Sequence, residues 1–129
     1  MGTVMRNTGL TFAVVMLFAS LSSAATPRDV SVVDPAGTPT VSVNAKVGDP
    51  VMVTLPLYPG DPKGWTYTSA DGALGAAREE VVPRWLGPET RGQKFTFSTA
   101  RAPGGDHFVS FKNGFAPPAT VVLIIHLAN

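Results

Sequence analysis

Val51-Met52-Val53-Thr54-Leu55-Pro56-Leu57-Tyr58-Pro59-Gly60-Asp61-Pro62-Lys63-Gly64-Trp65-Thr66-Tyr67 holds two apolar alternations joined by a stiff connection. Val51, Val53 and Leu55 alternate with Met52 and Thr54, and Trp65 and Tyr67 alternate with Thr66 and Thr68, the period of two that a half-buried strand requires. Between Leu55 and Tyr67 lie three prolines and two glycines. Proline fixes φ and removes an N–H donor, while glycine reaches backbone angles that other residues avoid. Together they end one strand and specify a shaped loop before the next begins. A loop of this kind reads as a surface to be presented.

The pattern continues outward in both directions. Upstream, Val41, Val43 and Ala45 alternate with Ser42 and Asn44, and Val47-Gly48-Asp49-Pro50 makes the turn into Val51. Residues 26–39 are rich in Pro, Asp and Thr, with an apolar patch at Val30-Ser31-Val32-Val33 suited to an edge strand. Downstream, residues 70–77 carry turn chemistry, and Glu80-Val81-Val82-Pro83-Arg84-Trp85 is a strand interrupted by proline, hence an edge. Residues 86–92 read as a loop. Phe95 and Phe97 share one face of a strand, and Pro103-Gly104-Gly105 turns the chain. His107, Val109 and Phe111 line a further strand, which the pattern predicts to pair with the Phe95 strand as a hairpin. Residues 112–118 form a second Gly/Pro-rich connection, and Val121, Leu123, Ile125 and Leu127 face one way on the last strand. About seven short strands with turns at this spacing, and no helical period after the first residues, predict an all-β fold: an immunoglobulin-like antiparallel β-sandwich.

The first residues read differently. Arg6 is the one cation before the apolar run 10–19, and Ser22-Ser23-Ala24-Ala25 follows. A basic start, an apolar segment too short to span a bilayer comfortably and a small-x-small pattern describe a secretory signal peptide, residues 1–24, with cleavage after Ala24 or Ala25. The organisation expected is a leader (1–24), an N-terminal segment (25–39) and one sandwich domain (40–129), in a periplasmic or secreted protein. The whole chain has 10 basic and 9 acidic residues, and removal of Arg6 leaves the mature chain formally neutral. That composition carries no electrostatic footprint for nucleic acid or for an anionic membrane, and no membrane contact is expected once the leader is gone. There is no cysteine, which excludes thiol nucleophiles, thiolate metal sites and disulfides, so the fold must rest on its core. About 105 mature residues suffice for a two-layer core, and the domain is read as a monomer.

The order of features resembles the chagasin family of cysteine protease inhibitors. The resemblance runs through Ala45-Lys46-Val47-Gly48-Asp49 into Val51-Met52-Val53-Thr54-Leu55-Pro56, then the Pro/Gly loop ending in Gly64-Trp65. It continues through Gly92-Gln93-Lys94-Phe95-Thr96-Phe97, the Pro103-Gly104-Gly105 turn, the strand His107 to Lys112 and the last strand. It implies an immunoglobulin-like sandwich that blocks papain-like cysteine proteases by inserting three loops from one end into the active-site cleft. The family's first loop carries N-P-T-T-G and an aromatic, matched here by Asp61-Pro62-Lys63-Gly64-Trp65, one residue shorter and without the threonines. The second, G-x-G-G, is represented by Gly87 and Gly92, and the third, R-P-W, by Lys112, Gly114 and Phe115. Tyr58 joins the first loop as a contact. On this reading Gly64 lets the backbone approach a protease closely, Lys63 and Trp65 flank it, and Phe115 packs on the rim. A Trp opening a sandwich strand is also a natural core residue.

No catalytic residues, cofactor or metal are expected. Asp106, His107 and Ser110 lie on one strand, where alternate side chains point to opposite faces and cannot form a relay. His107 and His126 lack a third ligand, and Glu79-Glu80 reads as a solvated loop. The competing class is a non-inhibitory periplasmic immunoglobulin-like interaction module that uses an edge strand or the same loops. The leader makes one prediction: mass spectrometry of the exported protein finds an N-terminus at Ala25 or Thr26, and an intact Met1 would refute it.

Overall fold

The computed structural model describes residues 25–70, 72–87, 90–115 and 118–129; the expected leader, Asp71, Pro88-Glu89 and Ala116-Pro117 lie outside them. Among the described residues there are eight strands: β1 (Arg28–Ser31), β2 (Thr40–Lys46), β3 (Val51–Leu57), β4 (Thr66–Ser69), β5 (Arg78–Gly87), β6 (Thr90–Phe97), β7 (Gly105–Asn113) and β8 (Ala119–Ala128). They form two four-stranded sheets, ordered β1-β3-β6-β5 and β2-β8-β7-β4, the sandwich that the alternation predicts. No described helix is long and apolar enough to cross a membrane.

The core lies where the inward faces meet. Val51, Val53, Leu55, Phe95 and Phe97 from one sheet face Val109, Phe111, Val121, Leu123 and Ile125 from the other, each without solvent exposure. Tyr67 packs edge-on against Phe95 and Phe97 at centroid distances of 5.5 and 5.2 Å, and Phe95 meets Phe111 at 5.1 Å. This packing corrects the expected hairpin. The Phe95 strand (β6) and the His107 strand (β7) belong to different sheets, because their aromatic faces must oppose one another across the core. The hairpins are β5–β6 and β7–β8 instead.

Two pairs are parallel. β1 runs beside β3, and β2 beside β8, while the remaining ladders are antiparallel. The N-terminal segment is thus an edge strand of the sandwich, and β5, with its proline, is the opposite edge, as expected. Glu79 and Glu80 are exposed, but they stand on β5 and not in a loop. Pro56 sits in an interior strand because of where β1 stops. Thr54 C=O accepts from Val32 N–H, so Pro56, two residues on, turns its backbone to the same side, past the end of β1 at Ser31.

Asp49 ties the N-terminal segment to the turn between β2 and β3. Its carboxylate, 5% exposed, accepts from Thr26 N–H at 2.9 Å, Lys46 N–H at 3.0 Å and Arg28 Nε at 3.3 Å. Thr99 Oγ1 donates to Asp49 C=O at 2.8 Å and accepts from Gly48 N–H at 2.9 Å, fastening the β6–β7 connection to the same turn. The N–H groups of Thr26 and Lys46 hold the Asp49 carboxyl below its ordinary value; burial opposes them and Arg28 assists. A depressed carboxyl pKa contributes stability above the unfolded value of about 4 and loses it as pH falls through the folded value. Asp49→Asn is therefore expected to lower the urea midpoint at pH 7 and to show a shallower loss than wild type below pH about 4. The two midpoints should draw together by pH about 2 in denaturation series, and parallel curves across that range would refute the role.

Candidate functional site: one end of the sandwich

The strand registers bring three connections to one end. β3 finishes with Leu57 opposite Arg91 at the start of β6, so residues 58–65 leave beside the β5–β6 hairpin, whose last pair is Gly87 with Thr90. β7 finishes with Asn113 opposite Ala119, and Lys112 stands opposite Thr66, so the chain leaves β7 and enters β8 at the same end. Lys46 pairs with Ala128 at the other end. The second connection differs from its expected form. Residues 86, 87 and 90–92 are strand, with Gly87 paired to Thr90.

The first loop is built around a carboxylate and an indole. Asp61 Oδ1 accepts from Lys63 N–H at 3.0 Å and Gly64 N–H at 2.8 Å, a turn in which a short side chain replaces backbone partners. Its other oxygen accepts from Asn113 Nδ2 of the third connection at 2.9 Å. Asn113 Oδ1 in turn accepts from Phe115 N–H at 2.7 Å. Burial pushes the Asp61 carboxyl up, but Gly64 N–H, the Asn113 amide and Lys63 N–H outweigh it and hold it below its ordinary value. Trp65 is 1% exposed, so the indole is core and does not flank the loop as a contact. Its Nε1–H donates to Pro56 C=O at 2.8 Å. Gln93 clasps its backbone, Oε1 accepting Trp65 N–H at 2.7 Å and Nε2 donating to Trp65 C=O at 3.1 Å.

Of the other expected contact residues, Pro62, Lys63, Lys112 and Gly114 are exposed, and Tyr58, Asp61, Gly87 and Phe115 are half-buried. Gly64 and Gly92 are buried. Gly64 has φ +70° and lies where a Cβ would collide with Gln93 Oε1, so the fold itself requires its missing side chain. At Gly92 a Cβ would stand 2.8 Å from Thr54 Cγ2 and 3.0 Å from the Trp85 ring, and glycine lets that indole lie close against β6. Two shallow clefts flank the first loop. One of about 330 Å³ is bounded by Lys63, Glu79, Val81 and Arg91, and one of about 280 Å³ by Pro62, Asn113 and Phe115. The loop is a ridge between them.

Residues that the sequence does not single out complete this end. Asn113 and Gln93 are buried polar side chains that hold the loops, and alternation alone gives neither a signal. The β1–β2 connection also arrives here, since Val32 N–H bonds Thr54 C=O and Val122 N–H bonds Pro39 C=O. Burial raises the Tyr58 phenol, and the charge of Asp34 on that connection raises it further.

Elsewhere the geometry offers no relay. His107 points inward and donates Nε2–H to Pro103 C=O at 2.7 Å, while His126 points outward and pairs with Asp106 at 2.7 Å. Although β7 and β8 pair, the two imidazoles lie on opposite faces, and no group of three or more potential metal ligands occurs among the described residues.

Sandwich domains commonly cluster their loops at the two ends, as this one does. No protein-family model matches the sequence, and no curated protein matches it at significance. Solved structures do. The cysteine protease inhibitor EhICP2 from Entamoeba histolytica superposes with a TM-score of 0.56 at 6% identity, over 81% of this chain and 99% of that one. Amebosin superposes at 0.54 with 13% identity, over 77% and 97%. PbICP-C, solved in complex with falcipain-2, gives 0.48 at 11% identity, over 78% and 98%. The chain shares the fold of EhICP2 and amebosin, and the resemblance read in its sequence is a likeness of framework.

Gly64 and Gly75 separate two effects. Both have positive φ, +70° and +68°, but only Gly64 is crowded. Gly75→Ala is expected to lose about 1–2 kcal/mol from φ alone, and Gly64→Ala more, because Gln93 must also move. Urea denaturation of the two variants checks this, and equal losses would refute the crowding.

Proposed function

We propose that the mature chain is a secreted or periplasmic inhibitor of papain-like cysteine proteases that inserts this end of the sandwich into the active-site cleft. The observation that carries the reading is the gathering of the three connections at one end, with the ridge 58–64 standing between two clefts and tied to the third connection through Asp61 and Asn113. The fold shared with EhICP2, a cysteine protease inhibitor, supports it. A concave cleft is filled most tightly by loops that lose little conformational entropy on docking, and prolines with side-chain clasps provide that stiffness. Lys63 and Pro62 form the exposed crest, and Phe115 supplies an aromatic anchor beside it. Inhibition of this kind is occlusion and uses no nucleophile, metal or cofactor of the inhibitor's own.

One observation favours the non-inhibitory module. Edge strand β5 exposes Val81 and Leu86, 52% and 43%, which an added strand or a partner face could cover. Inhibition assays against papain and a cathepsin-like enzyme separate the two. Wild-type mature protein is expected to compete with substrate, Phe115→Ala to weaken inhibition by about tenfold or more, and Lys46→Ala, at the far end, to leave it unchanged. No inhibition at micromolar concentration would leave the module in front.

A further inference from the structure

We infer that Asp61 and Asn113 are positioning residues that lock the first and third loops into one rigid body, so that the binding strength of the ridge depends on a pair fixed behind it. This rests on the proposed function for its binding part alone. The two residues are 52 positions apart, and the link between their side chains is 2.9 Å long. Each then organises its own loop: Asp61 holds Lys63 and Gly64 by their N–H groups, and Asn113 holds Phe115 by its N–H. Asn113 is 3% exposed, so its orientation is dictated by its partners. A carboxylate can only accept, which turns the amide Nδ2 toward Asp61 and leaves Oδ1 for Phe115. The polarity of the whole chain of bonds follows from the single charge on Asp61. The loops are also close in space, since a Cβ added at Gly60 would stand 3.9 Å from the Phe115 ring.

The arrangement has a reversed equivalent. In the Asp61→Asn, Asn113→Asp double variant, residue 61 would accept from Lys63 and Gly64 with its oxygen and donate to the new carboxylate at 113. That carboxylate would accept from Phe115 with its other oxygen. Every bond is kept, and the net charge equals that of wild type. Each single variant breaks the pattern. Asp61→Asn sets donor against donor or turns the 113 amide away from Phe115, and Asn113→Asp sets two carboxylates together.

Amide exchange in the free protein tests the lock. Asp61→Asn is expected to speed exchange at Phe115, in the other loop, and Asn113→Asp at Lys63 and Gly64, each by about tenfold, with the double variant restoring protection. A side chain that served only its own loop would move only its own loop's amides, and that result would overturn the inference, as would a folded double variant that stays unprotected. If Asn113→Asp does not fold, the part-exposed Asp61→Asn and the double variant carry the test. Affinity for papain should follow exchange: about tenfold weaker in each single variant and restored in the double one. Full affinity in both single variants would overturn the lock as a determinant of binding. Absence of papain inhibition by wild type would sink the proposed function and leave the exchange result standing on its own.

Discussion

The indole of Trp65 decides the upper end of this molecule. A side chain of that size must be buried between the sheets and must still find an acceptor for its N–H, and Pro56 C=O, facing the side that β1 has vacated, is that acceptor. Once the indole is in place, the backbone at Trp65 is held from both sides by Gln93. The chain leaving β3 must therefore turn over the top of the core and come back within eight residues, from Tyr58 to Trp65. The left-handed Gly64, the Asp61 turn and the prolines are the local means of making that return. The exposed ridge is what remains outside after the indole has gone in.

The two ends of the sandwich use the same device for different purposes. At each, an aspartate accepts backbone N–H groups from its neighbourhood and a further bond from a distant side chain, Arg28 for Asp49 and Asn113 for Asp61. Asp49 is buried and fastens β1, the β2–β3 turn and the β6–β7 connection, which closes the lower end. Asp61 is half-buried and fastens loops whose exposed crest, Pro62 and Lys63, covers no core, with Tyr58 packing against the core beneath it. Order maintained in a segment that shields little apolar surface adds little to stability, and under the proposed function it keeps a surface ready for a partner.

The likeness to EhICP2 at 6% identity shows how few residues such a framework needs in common. Burial requires apolar side chains at alternate positions and a large residue at the core's closed end, and many sequences meet that demand. The exposed loop residues are under no such demand from the core. Their departures from the inhibitor motifs, lysine for the threonines and Gly114 for the proline, alter the surface and leave the sandwich unchanged.

Some of this was legible in the residues alone, because alternation is a local property. The strands from Val41, Val51, Trp65, Phe95, His107 and Val121, the edge position of the Pro83 strand and the stiffness of the 58–64 loop all follow from neighbours in sequence. What sequence could not decide was which strands pair. Phe95, Phe97 and Phe111 present the same pattern whether they lie in one sheet or face each other across two, and only the filling of a common core places β6 and β7 in different sheets. Trp65 was readable as core or contact and Gly64 as an approach for a partner; the burial of the indole, and the Gln93 side chain from 28 places away that fills the space beside Gly64, are visible only in the fold. The Asp61–Asn113 link was invisible for the same reason: a single polar residue acquires a role from what the fold sets beside it, and nothing in its own stretch of chain records that neighbour.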